Sequence, residues 1–461
     1  MSPERQDISG ARPASGVVST DLASPSSQFS LLRQRRFGPL FWTQFLGAAN
    51  DNLFKFAFTV MVTYQLSVSW LPTELAGLVI GALFILPFML FSATSGQLTD
   101  KFEKTRLIRA VKNLEIAIMA LAAWAFLAVN VPILLLCTFL MGLHSTLFGP
   151  VKYACLPQVL DERELMGGNA MVEMGTFVAI LLGNLAGGLL VAVPDIGPAA
   201  VATSCLLLAL AGRWSAGRME VLPANDPGLQ LNWNPLTETW RNLVLAARDR
   251  TVLQALLGIS WLWFFGAVFL SQFPSFAKEV LHGNAQVASL LLVVFSLGIG
   301  AGSLMCEGLG RRQVEIGLVP LGALGMTVFA VDLYFASHRL PAAELMGVAA
   351  FLAQGVHLRV LADLFLLSLF AGIYSVPLYA LVLQRSPPTH SARIIAANNI
   401  LNALFMVVSA VLAGALLSAG AGIAQVFLWL GLANAVFTLA LFLWAPQYLR
   451  RLRDWLGRPF G

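Results

Sequence analysis

The chain has 461 residues, of which 57% are hydrophobic and 11% charged, and its mean hydropathy is +0.75. Its 24 acidic and 29 basic residues are too few to cover a soluble body of this size. The composition therefore excludes a globular enzyme and, despite the pI of about 9.2, a nucleic-acid-binding protein. Because a membrane-spanning helix needs roughly 20 apolar residues, the length allows up to about a dozen spans and no separate catalytic domain. We predict an all-α integral membrane protein, with transport as the first function to test.

The amino-terminal segment and the cysteines add little chemistry. Residues 1–30 contain eight Ser and three Pro and no apolar stretch, which predicts a disordered tail and not a signal peptide. The four cysteines lie singly, without a CxxC pair or a histidine at ligand spacing: Cys137, Cys155, Cys205 and Cys306. We therefore expect neither disulfides nor a metal site, and no cofactor.

Apolar runs of spanning length fall into two groups of six on either side of a polar stretch. The first group comprises residues 39–66, 75–94, 107–128, 132–149, 166–193 and 199–214. The second comprises residues 253–277, 287–306, 316–336, 360–383, 394–418 and 423–444. A further apolar stretch at 341–357 is short and contains Glu344, Gln354 and His357, which favours an interfacial helix or a long loop. The sequence thus predicts twelve transmembrane helices in two six-helix bundles.

The distribution of positive charge predicts the orientation and the domain boundaries. Most of the 29 Lys and Arg residues fall on one side of a twelve-span topology, the side of both termini, which is therefore expected to be cytoplasmic. The predicted order is a disordered tail at 1–30, a bundle at 31–214, a linker at 215–250, a second bundle at 251–446 and a basic tail at 447–461. Apolar residues in the linker recur at helical spacing and predict an amphipathic helix on the inner membrane surface.

Two loops at matching places in the two halves repeat an acidic residue followed by basic ones. They read GQLTDKFEKTR at 96–106 and EGLGRR at 307–312. This pair resembles the cytoplasmic signature loop of the major facilitator superfamily, which is built from parallel six-span repeats. The resemblance implies a latch that joins the bundles when the cytoplasmic gate is closed. The expected latch residues are Asp100, Lys101, Arg106, Glu307, Arg311 and Arg312. A tight basic loop without a gating role is the alternative.

The first span, FGPLFWTQFLGAANDNLFK at 37–55, resembles the lysophospholipid transporter family, especially the transporter half of its fusions with an acyltransferase. Further matching stretches are FGPVKY at 148–153 with LPQ at 156–158, GGN at 167–169 with Glu173, and YSVPLY at 374–379 followed by AANNILN at 396–402. The resemblance implies a transporter that carries lysophospholipids, chiefly lysophosphatidylethanolamine, across the bacterial inner membrane to the cytoplasmic leaflet for reacylation. It also implies alternating access.

Charged and polar residues inside the first, fourth and fifth spans are the candidate substrate-binding residues. They are Asp51, Asn52, Lys152, Tyr153, Asn50, Lys55, His144 and Glu173. Asp51 lies about 14 residues into its span, which at ~1.5 Å per residue is near the bilayer midplane. A lysophospholipid offers a phosphate, for which Lys152 and Tyr153 are suitable partners, and in the ethanolamine case an amine.

Structural roles for the same residues remain open alternatives. Asp51 could form an internal ion pair with Lys55 one turn further along the helix, and Lys152 could extend to the membrane interface. Glu173 could pair with His144 or with a basic residue. Charges nearer the span ends are expected at the membrane interface: Glu115, Asp332 and Asp363.

Two other functions were weighed. An enzyme is not expected, because none of the five histidines has Asp five positions later, as in acyltransferases, and there is no GxSxG, P-loop or HExxH sequence. Any acyltransferase must then be a separate protein. The serious alternative is a proton-driven exporter of drugs or other amphiphiles on the same fold, in which Asp51 would carry protons.

Overall fold

The computed structural model describes residues 28–457 except 67, 72, 312, 339 and 341–343. The predicted tail at 1–30 lies almost entirely outside these residues, and so does the predicted latch residue Arg312. Fifteen α-helices occur in the described part of the chain. They are α1 Gly38–Val60, α2 Thr73–Lys101, α3 Lys104–Leu127, α4 Val131–Val159, α5 Leu165–Val191, α6 Gly197–Gly217, α7 Pro235–Ala247, α8 Arg250–Ser275, α9 Ala285–Leu309, α10 Leu318–Ser337, α11 Val348–Leu352, α12 Gly355–Arg385, α13 Ser391–Ser418, α14 Ile423–Trp444 and α15 Gln447–Leu456.

Local sequence explains where several of these helices begin. The side chains of Asn130, Asn234, Asp249 and Asn284 accept hydrogen bonds from backbone N–H groups in the first turns of α4, α7, α8 and α9. Such caps satisfy donors that have no partner within the helix. Short polar segments between the long apolar runs therefore determine where these four helices begin.

Twelve long helices correspond to the predicted spans: α1 to α6, α8 to α10 and α12 to α14. Eleven of them, within the described residues, are long and apolar enough to cross a membrane. The twelfth, α1, has 23 residues, and the polar sequence Asn50-Asp51-Asn52 at its centre lowers its mean hydropathy. The chain is a multi-pass membrane protein. Of the predicted segment 341–357, the described residues 344–357 contain the five-residue α11 and the start of α12.

The two halves of the chain repeat one packing pattern. In the first half α1 packs on α5, α2 on α4 and α3 on α6. In the second half α8 packs on α13, α9 on α12 and α10 on α14 in the corresponding way. The bundles meet through α2 against α13 and α5 against α9, which are also equivalent pairs. This duplicated arrangement is the all-α architecture expected from the repeated loops.

Small residues allow the closest helix contacts inside each bundle. A Cβ atom on Gly183 of α5 would lie 2.4 Å from the Ala49 carbonyl oxygen of α1, and one on Gly302 of α9 would lie 1.8 Å from the Leu369 carbonyl oxygen of α12. Any side chain at these positions would push the helices apart. The α1/α5 and α9/α12 contacts therefore depend on glycine.

One end of the molecule carries the start of α1, the linker between α6 and α8, and α15. We call this end the terminal face. The linker contains α7, whose Leu236 and Trp240 are exposed while Glu238 and Asn242 are buried. Helix α7 packs on α2 and α13, so it contacts both bundles. The linker includes an amphipathic helix with its apolar side turned away from the protein, as a helix on a membrane surface requires.

Candidate functional site

A cavity of about 380 Å³ lies between the bundles, lined mainly by α1, α2, α4 and α5, with contributions from α8, α12 and α13. Its apolar wall includes Phe84, Ile85 and Phe88 of α2 and Met406 of α13. Seven of the eight predicted substrate-binding residues line it: Asp51, Asn52, Lys55, His144, Lys152, Tyr153 and Glu173. Charged groups thus face an enclosure that is otherwise largely hydrophobic and aromatic.

Asp51 lies at the α1/α4 boundary of this cavity and is 8% exposed. Ser145 Oγ of α4 donates a hydrogen bond to Asp51 Oδ2. The other carboxylate oxygen, Oδ1, is buried and has no hydrogen-bond partner among the described residues. A buried carboxylate oxygen without a partner is costly, so Asp51 retains capacity for a donor from a ligand.

Lys55 does not neutralise Asp51 as an ion pair. Its Nζ lies 3.7 Å from the centre of the Phe84 ring, a cation–π contact with α2. Within the described part of the chain, no ion pair of 4.0 Å or less joins Lys55 to a carboxylate. Lys55 thus contacts the Phe84 ring and makes no direct ion pair with Asp51, although both side chains line the same cavity one helical turn apart.

Further along α4, the helices α4, α5 and α12 bring charged and aromatic side chains together at the cavity wall. Tyr153 donates a hydrogen bond of 2.6 Å to Glu173 Oε1 and stacks on Tyr379, with ring centres 5.3 Å apart. Lys152 Nζ lies 4.4 Å from the centre of the Tyr153 ring, and Trp263 Nε1 donates to the Tyr379 hydroxyl at 3.0 Å. Lys152 lines the cavity, which argues against the alternative in which it extends to the membrane interface.

Behind the cavity wall lies a buried charge cluster that joins α1, α3 and α4. Lys112 Nζ is 2.6 Å from Glu115 Oε2, and both side chains are fully buried. Asn50 donates to Glu115 Oε1 at 2.8 Å, and His144 Nε2 lies 3.4 Å from Glu115 Oε2. Asn50 thus faces α3 and does not line the cavity. The expectation that Glu115 is an interface charge is also wrong, because α3 turns it towards the bundle interior.

Several cavity residues were not assigned a role from sequence. Ser145, Trp263, Tyr379 and Asn399 line the cavity. Tyr379 and Asn399 belong to the stretches that carried the family resemblance, which was the available signal. Ser145 and Trp263 gave none, since a serine or tryptophan in an apolar span has many structural explanations.

Asp100, one of the predicted latch residues, forms an ion pair with a residue outside the predicted set. Asp100, at the end of α2, is fully buried, and its Oδ2 lies 3.0 Å from Arg393 Nε of α13 in the other bundle. Lys101 instead donates to the Leu229 carbonyl oxygen at 2.8 Å, and Arg106 is exposed. Asp100 therefore joins the two bundles, but its partner is Arg393 and not Lys101 or Arg106, because the short turn between α2 and α3 directs these two bases to the linker and to the surface.

The linker also reaches this ion pair. Asn225 Nδ2 donates to Asp100 Oδ1 at 3.1 Å and to Ser391 Oγ of α13 at 3.3 Å. Its Oδ1 accepts from Lys104 Nζ of α3 at 2.8 Å. A single linker asparagine therefore bonds to both bundles at the terminal face.

At the equivalent place in the second half, Glu307 of α9 lies against α5. A Cβ atom on Gly167 would be 3.1 Å from Glu307 Oε1. Nearby, Asn169 Nδ2 of α5 donates to the Val376 carbonyl oxygen of α12 at 3.3 Å. Arg311 is exposed at the end of this loop, with a φ of 51°. The two bundles are thus closed against each other at the terminal face.

Comparison with known proteins places this geometry in a family. The sequence profile described as Major Facilitator Superfamily matches residues 40–358. The outward conformation of FucP, a transporter of that superfamily, superimposes with a TM-score of 0.67 at 14% identity, covering 89% of this chain and 98% of FucP. The human organic anion transporter MFSD10 has a TM-score of 0.67 at 15% identity, covering 89% of this chain and 99% of its own. The chain belongs to the major facilitator superfamily.

Curated relatives narrow the assignment. Lysophospholipid transporter LplT of Klebsiella pneumoniae subsp. pneumoniae is 28% identical over 415 residues, which are 88% of this chain and 94% of the relative. LplT of Salmonella paratyphi B is 30% identical over 346 residues, covering 74% and 78%. Within the superfamily, the chain therefore belongs to the lysophospholipid transporter family.

Proposed function

We propose that this protein moves lysophospholipids, chiefly lysophosphatidylethanolamine, to the cytoplasmic leaflet of a bacterial inner membrane by alternating access. The observation that carries the proposal is the cavity between the bundles, where Asp51 and Lys152 face an otherwise apolar and aromatic enclosure. Relatives named lysophospholipid transporter support the substrate class.

The charges of the cavity suit a zwitterionic head group. Asp51 Oδ1 is a buried acceptor without a partner, and an ethanolamine ammonium would supply donors to it. Lys152 is a point charge for the phosphate, and Glu173 holds the Tyr153 ring beneath it through their hydrogen bond. One substrate molecule would then contact α1 through its amine and α4 through its phosphate.

The acyl chain requires an apolar path next to these charges. Phe84 and Phe88 of α2 and Met406 of α13 line the cavity, while Met89 of α2 and Val407 of α13 are exposed on the outer surface. At the α2/α13 boundary, the cavity-lining residues Phe88 and Met406 are therefore adjacent in sequence to residues on the lipid-facing surface. We infer that the acyl chain lies along this boundary while the head group occupies the cavity.

The terminal face is assigned to the cytoplasm because it carries most of the positive charge. Reacylation then requires a separate acyltransferase acting on the delivered substrate, since transport itself involves no chemical step. In this orientation the Asp100 and Arg393 pair closes the cytoplasmic gate. The exporter alternative has no support from the relatives, which are named for lysophospholipid transport.

The test is uptake of labelled lysophosphatidylethanolamine by spheroplasts with and without the protein, repeated after the proton gradient is collapsed. We expect protein-dependent uptake, reduced at least about tenfold by Lys152→Met, since a charge-assisted contact contributes roughly 1.5–3 kcal/mol. Lys278→Met removes an exposed lysine on the opposite face and should leave uptake unchanged. Absence of lysolipid uptake together with proton-dependent efflux of amphiphilic dyes would establish the exporter instead.

A further inference from the structure

A second cavity, of about 770 Å³, lies on the outside of the first bundle at the terminal face, between the start of α1 and the end of α6. We call it the α1/α6 groove. Its lining residues are Leu32, Arg33, Gln34, Arg35, Gly38, Pro39, Trp42, Leu46, Ala211, Trp214, Ser215 and Arg218. It shares no lining residue with the central cavity, so the transport path does not account for it.

The groove is positively charged, and the described residues that line it include no acid. Arg33, Arg35 and Arg218 line it and are exposed. The adjacent Arg36 differs, because its Nη2 lies 2.6 Å from Glu164, the residue that precedes α5. Among the described residues, no carboxylate lies within 4.0 Å of the three groove arginines. Three guanidinium groups therefore converge on one concave surface with their donors available.

Along one face of α6, the exposed side chains change from apolar to aromatic to basic towards this groove. Leu207, Leu210, Trp214 and Arg218 follow one another at helical spacing, and all four are exposed. The Arg218 guanidinium carbon lies 3.5 Å from the centre of the Trp214 ring. The sequence of apolar, aromatic and basic residues along one helix face matches the change from hydrocarbon to head group across a membrane interface. The groove thus lies at head-group depth.

Helix α1 supplies the other wall. Trp42 is 45% exposed and Leu46 lies one turn deeper, so this wall also changes from aromatic to apolar. Ser215 Oγ of α6 donates to the Pro39 carbonyl oxygen of α1 at 3.0 Å, which fixes the two walls relative to each other. The groove is therefore a formed surface between two packed helices.

We propose that the α1/α6 groove binds the head group of an anionic membrane phospholipid, whose phosphodiester contacts Arg33, Arg35 and Arg218 while its acyl chains lie along Leu207 and Leu210. Arginine binds phosphate oxygens through two parallel hydrogen bonds, and basic pockets between membrane helices bind anionic lipid head groups. A zwitterionic lipid would bring an amine towards a site that offers no acid. The ligand is thus distinct in charge from the proposed transport substrate.

The test is native mass spectrometry of the detergent-purified full-length protein with phosphatidylglycerol, counting bound lipid in parallel with phosphatidylethanolamine. We expect retained phosphatidylglycerol on the parent protein, and at least about tenfold weaker binding for the triple variant Arg33→Gln, Arg35→Gln, Arg218→Gln, since each basic residue near a lipid surface contributes roughly fivefold. The matched control Arg450→Gln, Arg451→Gln, Arg453→Gln removes three exposed arginines of α15 on the same face and should change binding less than about twofold.

Two further arms make the result decisive. The variant with Lys at positions 33, 35 and 218 keeps the charge and should retain most of the binding, which answers the question if the Gln variant does not fold. Displacement of the lipid by millimolar inorganic phosphate would show a free-anion site and overturn the lipid assignment. Equal loss in the groove and control variants, or equal retention of both lipids by the parent, would overturn the site itself.

Discussion

Burying the Asp51 carboxylate in a membrane helix costs free energy, and its oxygen without a partner remains available to a ligand. The side chain is 8% exposed, accepts one hydrogen bond from Ser145 and keeps a second oxygen without a partner. Glu115, which lies behind the cavity wall, differs in having both carboxylate oxygens bonded. Asp51 is also a lining residue of the cavity in which the substrate is proposed to bind.

Asp51→Asn should fold and insert normally while reducing lysophosphatidylethanolamine uptake at least about tenfold, because the amide keeps the shape and loses a charge-assisted contact. Uptake into spheroplasts, normalised to protein level, measures this. Asp195→Asn, at an exposed position of the α5–α6 turn, serves as the control and should transport normally. Because Lys55 packs on Phe84 and is not paired with Asp51, Asp51→Asn combined with Lys55→Met should remain inactive. Recovery of transport in this double variant would show that Asp51 does not bind the substrate.

Substitutions in the buried Lys112 and Glu115 ion pair should change the stability of the protein, in contrast to Asp51→Asn, which should change transport. Glu115→Gln leaves a fully buried ammonium group without a carboxylate, so we expect a loss of about 3–5 kcal/mol in the free energy of unfolding. Lys112→Met together with Glu115→Gln should recover most of that loss. Unfolding of the detergent-purified protein measures both, and exposed Glu344→Gln should stay within about 0.5 kcal/mol of the parent. A Glu115→Gln protein as stable as the parent would contradict this account.

At the residue scale, the sequence predicted position along a helix better than direction around it. Spacing placed Asp51 and Lys152 deep in the cavity-lining spans, where the structure has them. It could not show that Asn50 faces α3 whereas Asp51, about 100° further round the helix, faces the cavity, because both helix faces meet protein. Glu115 was misjudged for the same reason, since its partners come from α1, α3 and α4 and only packing brings them together.

At the scale of the helices, the contact of α2 with α13 brings the two bundles together at the terminal face. Gly96 of α2 lies so close to α13 that a Cβ atom there would be 3.0 Å from Arg393 Cα. This approach places Asp100 against the Arg393 side chain, and Asn225 of the linker completes the bonding. The acidic position of the signature loop was predictable from its repeated sequence. Its partner was not, because Arg393 is 293 residues away and belongs to no recognisable motif.

Arg393→Gln should open the terminal face, because it leaves a buried carboxylate without its charged partner. We expect the ratio of closed to open molecules to fall about tenfold, the equivalent of 1.4 kcal/mol, since a charge-assisted bond contributes at least that much. Distances between spin labels at Phe102→Cys and Arg385→Cys, in a background with the four native cysteines replaced by alanine, measure the opening.

The matched control for the latch is Arg453→Gln. That arginine is exposed and lies 3.9 Å from only its neighbour Asp454, so its loss should leave the label distances unchanged. Asn225→Ala should give an intermediate opening, because it removes the linker's bonds and keeps the ion pair. A label distribution for Arg393→Gln identical to that of the parent would show that the ion pair does not hold the gate.

For the whole molecule, the repeat explains both what was predictable and how the parts move together. Two groups of six apolar runs and a duplicated loop were sufficient to predict the two bundles, because these signals are set by the thickness of the membrane. The α1/α6 groove and the central cavity were not predictable in this way, since each is formed by helices that are distant in sequence. The equivalent packing of the two halves is consistent with the proposed movement of each bundle as a unit against the other.

Substrate binding should therefore produce opposite distance changes at the two faces. Labels at Phe102→Cys and Arg385→Cys report the terminal face, and labels at Trp70→Cys and Glu279→Cys, exposed positions that follow α1 and α8, report the other face. When lysophosphatidylethanolamine is added to the protein in nanodiscs, the first distance should lengthen while the second shortens. In the proposed rocking of one bundle against the other, loss of the Asp100 and Arg393 contact opens the terminal face and brings the opposite ends together. Asp51→Asn should suppress both changes, because a ligand shifts an equilibrium only by its difference in affinity for the two states. Changes of the same sign at both faces would instead indicate expansion of the whole molecule, and a change at one face alone would indicate a local gate.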